Sequence, residues 1–400
     1  MLILAVSPIE VVDLFPGAHF VLTPFLAMSV IYIPLSVVYV WMLRGQESSL
    51  SINYYLFFLL SMIVLSGLSV IFSGPDPLGI SLKRFLYFSW ILFVSGMFLL
   101  VVREHLLSVF VSAFKLFLVF SFLAVVIQWL YFKDILHFSI SWYDVNPWVV
   151  GGFPRYNGVM ADPNRFAVTV SIFLGVVLYQ CLLIGRVGRS LFYMFVSALL
   201  VGLAVSRTGL VAYFFVVFGF YVSLIFSLRW RFSIAASGFV LLFSFFFLAA
   251  FSFWFLYYGG EALLYKVFFG SPARVASTNI HLSLLSEGIK VSGSSLKNLF
   301  LGVGWGTSYY YVSDFFGSNK YGNFHSQYIS FLVQSGFLSL VGYCLLMVAL
   351  VFSRVWYTAI AVGVACVFYE FQAEPTFWII LGGLFFLAYS KQASLTFDRT

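Results

Sequence analysis

The chain has 400 residues, of which 62% are hydrophobic and 9% charged, where soluble proteins sit nearer ~45–50% and ~25%. No water-soluble core of this length hides so much apolar surface, so most of it must face lipid or other buried helices, and a mean hydropathy of +1.03 agrees. The formal charge of +7 would suit a nucleic acid or an anionic substrate, but Lys and Arg also gather in the cytoplasmic loops of any multispanning protein, and no nucleic-acid partner is inferred.

Residues 1–16 are too short to span a bilayer alone, carry Glu10 and Asp13, and are expected in the interface. No basic leader precedes the first apolar stretch, so no cleavable signal peptide is expected. Apolar runs then follow at 18–43, 53–73, 85–102, 106–132, 166–184, 190–205, 208–228, 232–258, 326–352, 355–370 and 376–390. Within lipid only a helix satisfies its own backbone polar groups in one segment. The expected fold is therefore all-α, a single polytopic domain over 1–400 with about eleven membrane helices, ten to twelve allowing for boundaries. Cys181, Cys344 and Cys366 lie in apolar runs without metal-ligand spacing and read as packing residues.

Short basic connections set the orientation. Arg186 with Arg189, and Arg229 with Arg231, sit in tight turns; Arg44, Arg103, Arg354 and Lys391 mark alternate ends of other spans. Placing all of them in the cytoplasm is self-consistent along the chain. It puts the carboxyl terminus inside and, with eleven spans, the amino terminus outside. Two long segments, 133–165 and 259–325, then both face the non-cytoplasmic side. They are rich in aromatics and Gly, which predicts folded loops, and long loops in compact proteins commonly carry function.

Positive charge on the outer side runs against the rule, so each such residue asks for a reason. Arg155 precedes Asp162 and Pro163, a cap and first-turn pair for the next helix. An anion shared by that helix end and the guanidinium is one reading; an ion pair with Asp162 or Asp144 is the plainer one. Arg207 stands in Ser206-Arg207-Thr208-Gly209, a tight turn between apolar runs. Charge at the membrane boundary marks function more often than not, against a plain snorkelling reading.

The second long segment holds Arg274 and an apolar pattern over Val275–Gly288 that predicts a short helix lying along the membrane. Gly302-Val-Gly-Trp-Gly306 and Tyr309–Tyr311 follow, and His325-Ser-Gln-Tyr328 opens the next span. Closely spaced glycines permit tight turns and close approach to a ligand. His325 is the candidate base, with His281 second and His137 a weaker third. Three arginines and a histidine on one face, with no HExxH, DxD or P-loop lysine, suit binding a diphosphate and activating a hydroxyl without metal or cofactor.

These landmarks, in this order and on this side, resemble the O-antigen polymerase and O-antigen ligase superfamily. The resemblance covers roughly residues 150–350 and is carried by Arg155–Asn164, Ser206–Gly209, Arg274 with Gly302–Gly306, and His325–Tyr328 followed by Gly336. It implies a lipid-sugar glycosyltransferase of the GT-C-like kind in the bacterial inner membrane, with its site facing the periplasm. Such a polymerase moves a glycan from undecaprenyl diphosphate to a sugar hydroxyl of another lipid-linked repeat unit. By resemblance Arg207 and Arg274 hold the diphosphate, Arg155 matches a basic position of the shorter loop, and His325 is the base or the residue that orients the acceptor. The partners implied are the lipid-linked oligosaccharide, the bilayer and a chain-length regulator protein.

Two departures stand out. Ser326 follows His325 where the family commonly has Asn. Phe166 and Leu285 lie eleven residues after Arg155 and Arg274, where some polymerases have Gly. The ligase activity, transfer of finished glycan to lipid A–core, and a transporter of lipid-linked sugars are the alternative readings. The near absence of midplane charge apart from Lys115 weighs against transport.

Overall fold

Helices supply nearly all the regular structure, as a backbone in hydrocarbon requires. The computed structural model describes residues 3–4, 7–8, 23–42, 50–73, 78–103, 105–136, 148–150, 153–184, 187–226, 272–308, 310–312 and 323–389. The principal elements are α1 (Pro24–Met42), α2 (Leu50–Ile71), α3 (Leu78–Val102), α4 (Leu106–Phe132), β1 (Trp148–Val150), β2 (Phe153–Arg155), α5 (Pro163–Leu183), α6 (Val187–Ala204) and α7 (Arg207–Phe226). Beyond them come α8 (Pro272–Gly293), α9 (Leu296–Leu301), α10 (Gln327–Val351), α11 (Trp356–Phe368) and α12 (Pro375–Tyr389).

Seven of these, α1–α5, α7 and α10, are long and apolar enough to cross a membrane, and α6, α11 and α12 are shorter apolar helices. The chain is thus a multi-pass membrane protein. The ten match ten of the eleven expected runs; the run 232–258 lies outside the described residues. α3 starts at Leu78 rather than 85 because its polar first turns are used: Ser81 Oγ donates to Trp305 O at 2.7 Å and Arg84 Nη1 to Gly306 O at 2.5 Å.

The all-helical expectation needs one correction. In segment 133–165, β1 and β2 pair antiparallel, with Trp148 opposite Arg155 and Val150 opposite Phe153. β-branched and aromatic residues favour strands, and a backbone outside a helix must find partners elsewhere. Segment 259–325 is also more than a loop. α8 extends beyond the expected 275–288, and Leu284 and Val291 pack with Val303, Val312, Phe324 and Val333 in a small core that holds it on α10. Leu282, expected on the apolar face, is exposed. Of the amino-terminal residues, Ile3 and Leu4 are buried, and Ser7 Oγ bonds Thr376 Oγ1 at 2.6 Å, at the start of α12.

α5 is the centre of the bundle. Its apolar window is 83% buried against 17% for α1, whose Val30, Ile31 and Leu35 remain exposed as a lipid-facing surface requires. α5 packs on α4, α6, α7, α11 and α12. Small residues set the spacing: a β-carbon at Gly209 would overlap Ala167, and one at Gly175 would overlap Thr358.

Two irregularities position the polar residues. α10 is broken at Gly336, whose φ of 80° and ψ of 179° are not helical. The segment 302–306 fills the break: Val303 N donates to Val333 O at 2.8 Å, and Ser69 Oγ of α2 donates to Gln334 O. Next, α11 has 13 residues, only ~20 Å of helix, and stops at Phe368, before the expected 370. The chain returns to α12 through 369–374, whose backbone is satisfied by Gln327: its N–H donates to Tyr369 O at 3.1 Å, and its Oε1 accepts from Phe371 N at 2.7 Å. Non-helical backbone inside such a protein requires partners of this kind.

Candidate functional site

The end of the first long segment is fastened on two sides. Tyr156 N donates to Leu203 O at 3.1 Å, and buried Gln128 of α4 donates to Asn157 Oδ1 at 2.7 Å. Asp162 caps α5 as expected, accepting from Asn164 N and Arg165 N at 2.7 and 3.0 Å, with Pro163 in the first turn. Arg155 donates to Ala204 O at 3.2 Å and to Asn164 Oδ1 at 2.9 Å. It therefore clamps the carboxyl end of α6 to the start of α5, and toward Asp162, one of the two partners of the alternative ion-pair reading, it shows longer-range attraction. Burial first, and then the nearby charge of Arg207, lower the Arg155 pKa, while Asp162 and Tyr369 act the other way. Asp144 and His137 lie outside the described residues.

Arg207 is the first residue of α7 and is exposed. The turn before it is tight because Val205 takes a φ of 49° and Ser206 Oγ accepts from Gly209 N at 3.1 Å. A positive φ is costly for a β-branched residue, so the surrounding structure holds this turn in place. The Arg207 charge acts on Arg155 and also on His281 of α8.

His325 has a φ of 51°, and its N–H donates to Asn323 Oδ1 at 3.0 Å. Its ring lies 4.8 Å from that of His281, edge to face, and 6.1 Å from Tyr369. Ser326, the departure from the family pattern, caps α10 through Ile329 N. Burial, chiefly, with His281 and Arg165 adding to it and Asp162 opposing, pushes the His325 pKa down to about 4. Burial and Arg207 also lower that of His281. Arg274 lies in α8 seven positions before His281, which puts the two positions on the same helical face about 10 Å apart.

The structure thus brings Arg155, Arg207, His281 and His325 to one end of the bundle and sets Arg274 on the helix that carries His281. Because the folded His325 resists protonation while an unfolded one accepts it near pH 6.5, the resulting stability is complete above pH 6.5 and is lost as pH falls toward 4. Thermal melts between pH 7 and 4 are expected to show a steep fall for the native protein. His325→Asn, which tolerates positive φ, should show a shallower one; equal slopes would reject this burial of the ring.

Beside this cationic face lies a cavity of about 310 Å³ lined by Arg84, Phe88, Arg165, Trp305, Gln334, Glu370 and Gln372, among others. Sequence reasoning missed it. Glu370 Oε2 accepts from Ser330 Oγ at 2.6 Å, and Gln334 joins Gly306 N at 2.6 Å to Gln372 Oε1 at 3.1 Å. Burial raises the Glu370 pKa, opposed by Ser330, Arg165, Gln334 and Arg84. Arg165 forms an ion pair with Glu374. The signal in the sequence was Glu370-Phe-Gln-Ala-Glu-Pro375, two carboxylates and an amide between apolar runs too short for full spans. The cations Lys83, Arg84 and Arg165, at the same end, each lie within two residues of the start of an apolar run and so read as part of its edge.

Among the described residues no group of three or more His, Cys, Asp or Glu is placed to hold a metal ion. Comparison with protein-family models finds no match to this chain, and comparison with curated sequences finds none either.

Proposed function

We propose that this protein is a surface-polysaccharide polymerase of the bacterial inner membrane, transferring a glycan from undecaprenyl diphosphate to a sugar hydroxyl of a second lipid-linked unit on the periplasmic side. One observation carries the reading. Arg155, Arg207 and His325, from three separate parts of the chain, are electrostatically linked through Asp162 and His281 at one end of a membrane bundle. Arginines fit a diphosphate by charge and by their planar fork. The helix starts at Pro163 and Arg207 add partial positive charge there.

In the reaction the acceptor oxygen attacks the anomeric carbon and gives up its proton to a carboxylate at the site, the carbon–oxygen bond to the diphosphate breaks, and lipid diphosphate leaves with the electron pair. Arg155, Arg207 and Arg274 hold that departing charge, the larger part of the catalysis. His325 is neutral at pH 7 and a weak base at a pKa of about 4, so its part is to orient the acceptor sugar by accepting a hydrogen bond from a hydroxyl beside the attacking one.

Purified protein supplied with defined undecaprenyl-diphosphate-linked units is expected to produce a glycan ladder without lipid A–core; no ladder rejects the polymerase reading, and product only when lipid A–core is added favours the ligase. The break in α10 favours a second reading, since transporters commonly use discontinuous helices at their binding sites. Here the 302–306 segment and Ser69 occupy the break. Transport is therefore the weaker reading.

A further inference from the structure

The cavity under segment 302–308 takes no part in the diphosphate chemistry above. Tyr87, Phe88 and Trp305 form an aromatic wall, and Arg84, Ser308, Gln334, Glu370 and Gln372 supply polar groups. Its size, about 310 Å³, is at the lower end of the ~300–1,000 Å³ typical of small-molecule sites. Apolar faces with a few fixed donors and acceptors suit a hydroxylated ring.

Gln372 points to a ligand independently. It is 5% exposed, its carbonyl oxygen accepts from Trp378 Nε1 at 3.0 Å, and its Oε1 accepts from Gln334. Its Nε2 is nevertheless buried with no hydrogen-bond acceptor among the described residues. A buried amide left unsatisfied costs about 1–3 kcal/mol, and a sugar hydroxyl in the cavity would supply the missing acceptor.

The cavity also adjoins the cationic face. Arg165 lines it, lies 5.7 Å from the Tyr369 ring, and acts by charge on both His325 and Glu370. Asn323 lines it too, and its Oδ1 accepts from His325 N. The cationic face and the cavity therefore adjoin, the first suited to a diphosphate and the second to a polar ring.

We infer that this cavity holds a sugar ring of the acceptor, with Gln372 donating to one of its hydroxyls and Glu370 receiving the proton of the attacking hydroxyl. The inference rests on the glycosyltransferase reading. As the acceptor oxygen bonds the anomeric carbon, its proton passes to the Glu370 carboxylate, and the electron pair of the broken bond leaves with the diphosphate. Burial raises the Glu370 pKa, which makes the carboxylate a stronger base, while Ser330, Arg165, Gln334 and Arg84 oppose that rise and favour the ionised form that this step needs.

The test uses the full chain in detergent, lipid-diphosphate oligosaccharide extracted from the source cells, and the same oligosaccharide released from its lipid by mild acid. Saturation-transfer NMR reads binding of the released saccharide; a glycan ladder reads transfer. Gln372→Leu is expected to weaken saccharide binding at least tenfold, and Arg207→Ala to leave it unchanged. If leucine misfolds there, Gln372→Asn withdraws the amide with less disturbance. Glu370→Gln should bind the saccharide within twofold of native protein and transfer at least ~100-fold more slowly, as loss of a general base does. Native transfer rates in Glu370→Gln, or saccharide binding lost in Arg207→Ala but kept in Gln372→Leu, overturn the inference. Native protein that binds the saccharide and transfers nothing leaves the cavity assignment standing and overturns the glycosyltransferase reading with its Glu370 step.

Discussion

Membranes carrying Arg207→Ala are expected to hold a normal amount of folded protein and to make less than about 1% of the native polymer, because removing one donor to a developing anion costs ~10²–10³ in rate. The stability part follows from placement. Arg207 is exposed at the first position of α7, and the turn before it is held by Ser206 and Gly209, not by the guanidinium. Surface substitutions of this kind change stability by about 0.5 kcal/mol or less. Arg274→Ala and His325→Ala are expected to give the same phenotype. Alanine is strained at the φ of His325, so His325→Asn is the companion that separates a lost ring from a strained backbone. Protein level by immunoblot and polymer by gel decide the matter. Polymer retained in both Arg274→Ala and His325→Ala would reject the assigned site.

Gly336→Ala is expected to be among the most damaging single-methyl changes at the described glycines. The glycine's φ of 80° and ψ of 179° belong to a region essentially closed to other residues. A β-carbon there would also overlap Phe300 O and crowd Leu301 N. Strain and overpacking together give roughly 2–6 kcal/mol of destabilisation, a large share of a typical folding free energy. The same residue explains the effect on function: Gln334, two positions earlier, bonds Gly306 and Gln372 across the cavity. Gly342→Ala, in the same helix with open space around it, is the control and should be neutral or slightly stabilising. Thermal unfolding in detergent compares the two, and a Gly336→Ala midpoint equal to the native one would refute the account of the break.

Composition and apolar run length determined the class and most of the bounds of the described apolar helices, because a bilayer leaves a hydrophobic backbone no other choice. The Asp162-Pro163 cap was legible for a related reason: capping chemistry is local, and four consecutive residues specify it. The expected grouping of Arg155, Arg207, Arg274 and His325 came from their order along the chain; the structure sets Arg155, Arg207 and His325 at one end with His281, and places Arg274 by its position on α8 alone. Tertiary structure alone decided the rest. Whether Arg155 meets Asp162 or a helix end depends on where α6 finishes relative to α5. The cavity depends on contacts across the chain, Arg84 to Gly306, Gly306 to Gln334, and Gln334 to Gln372. No local pattern encodes those distances. The polar end read from the sequence is a row of helix ends; packing divides it into a cationic face and a cavity of mixed aromatic, amide and charged lining, because the broken α10 and the short α11 draw Gln334 and Glu370 into the bundle.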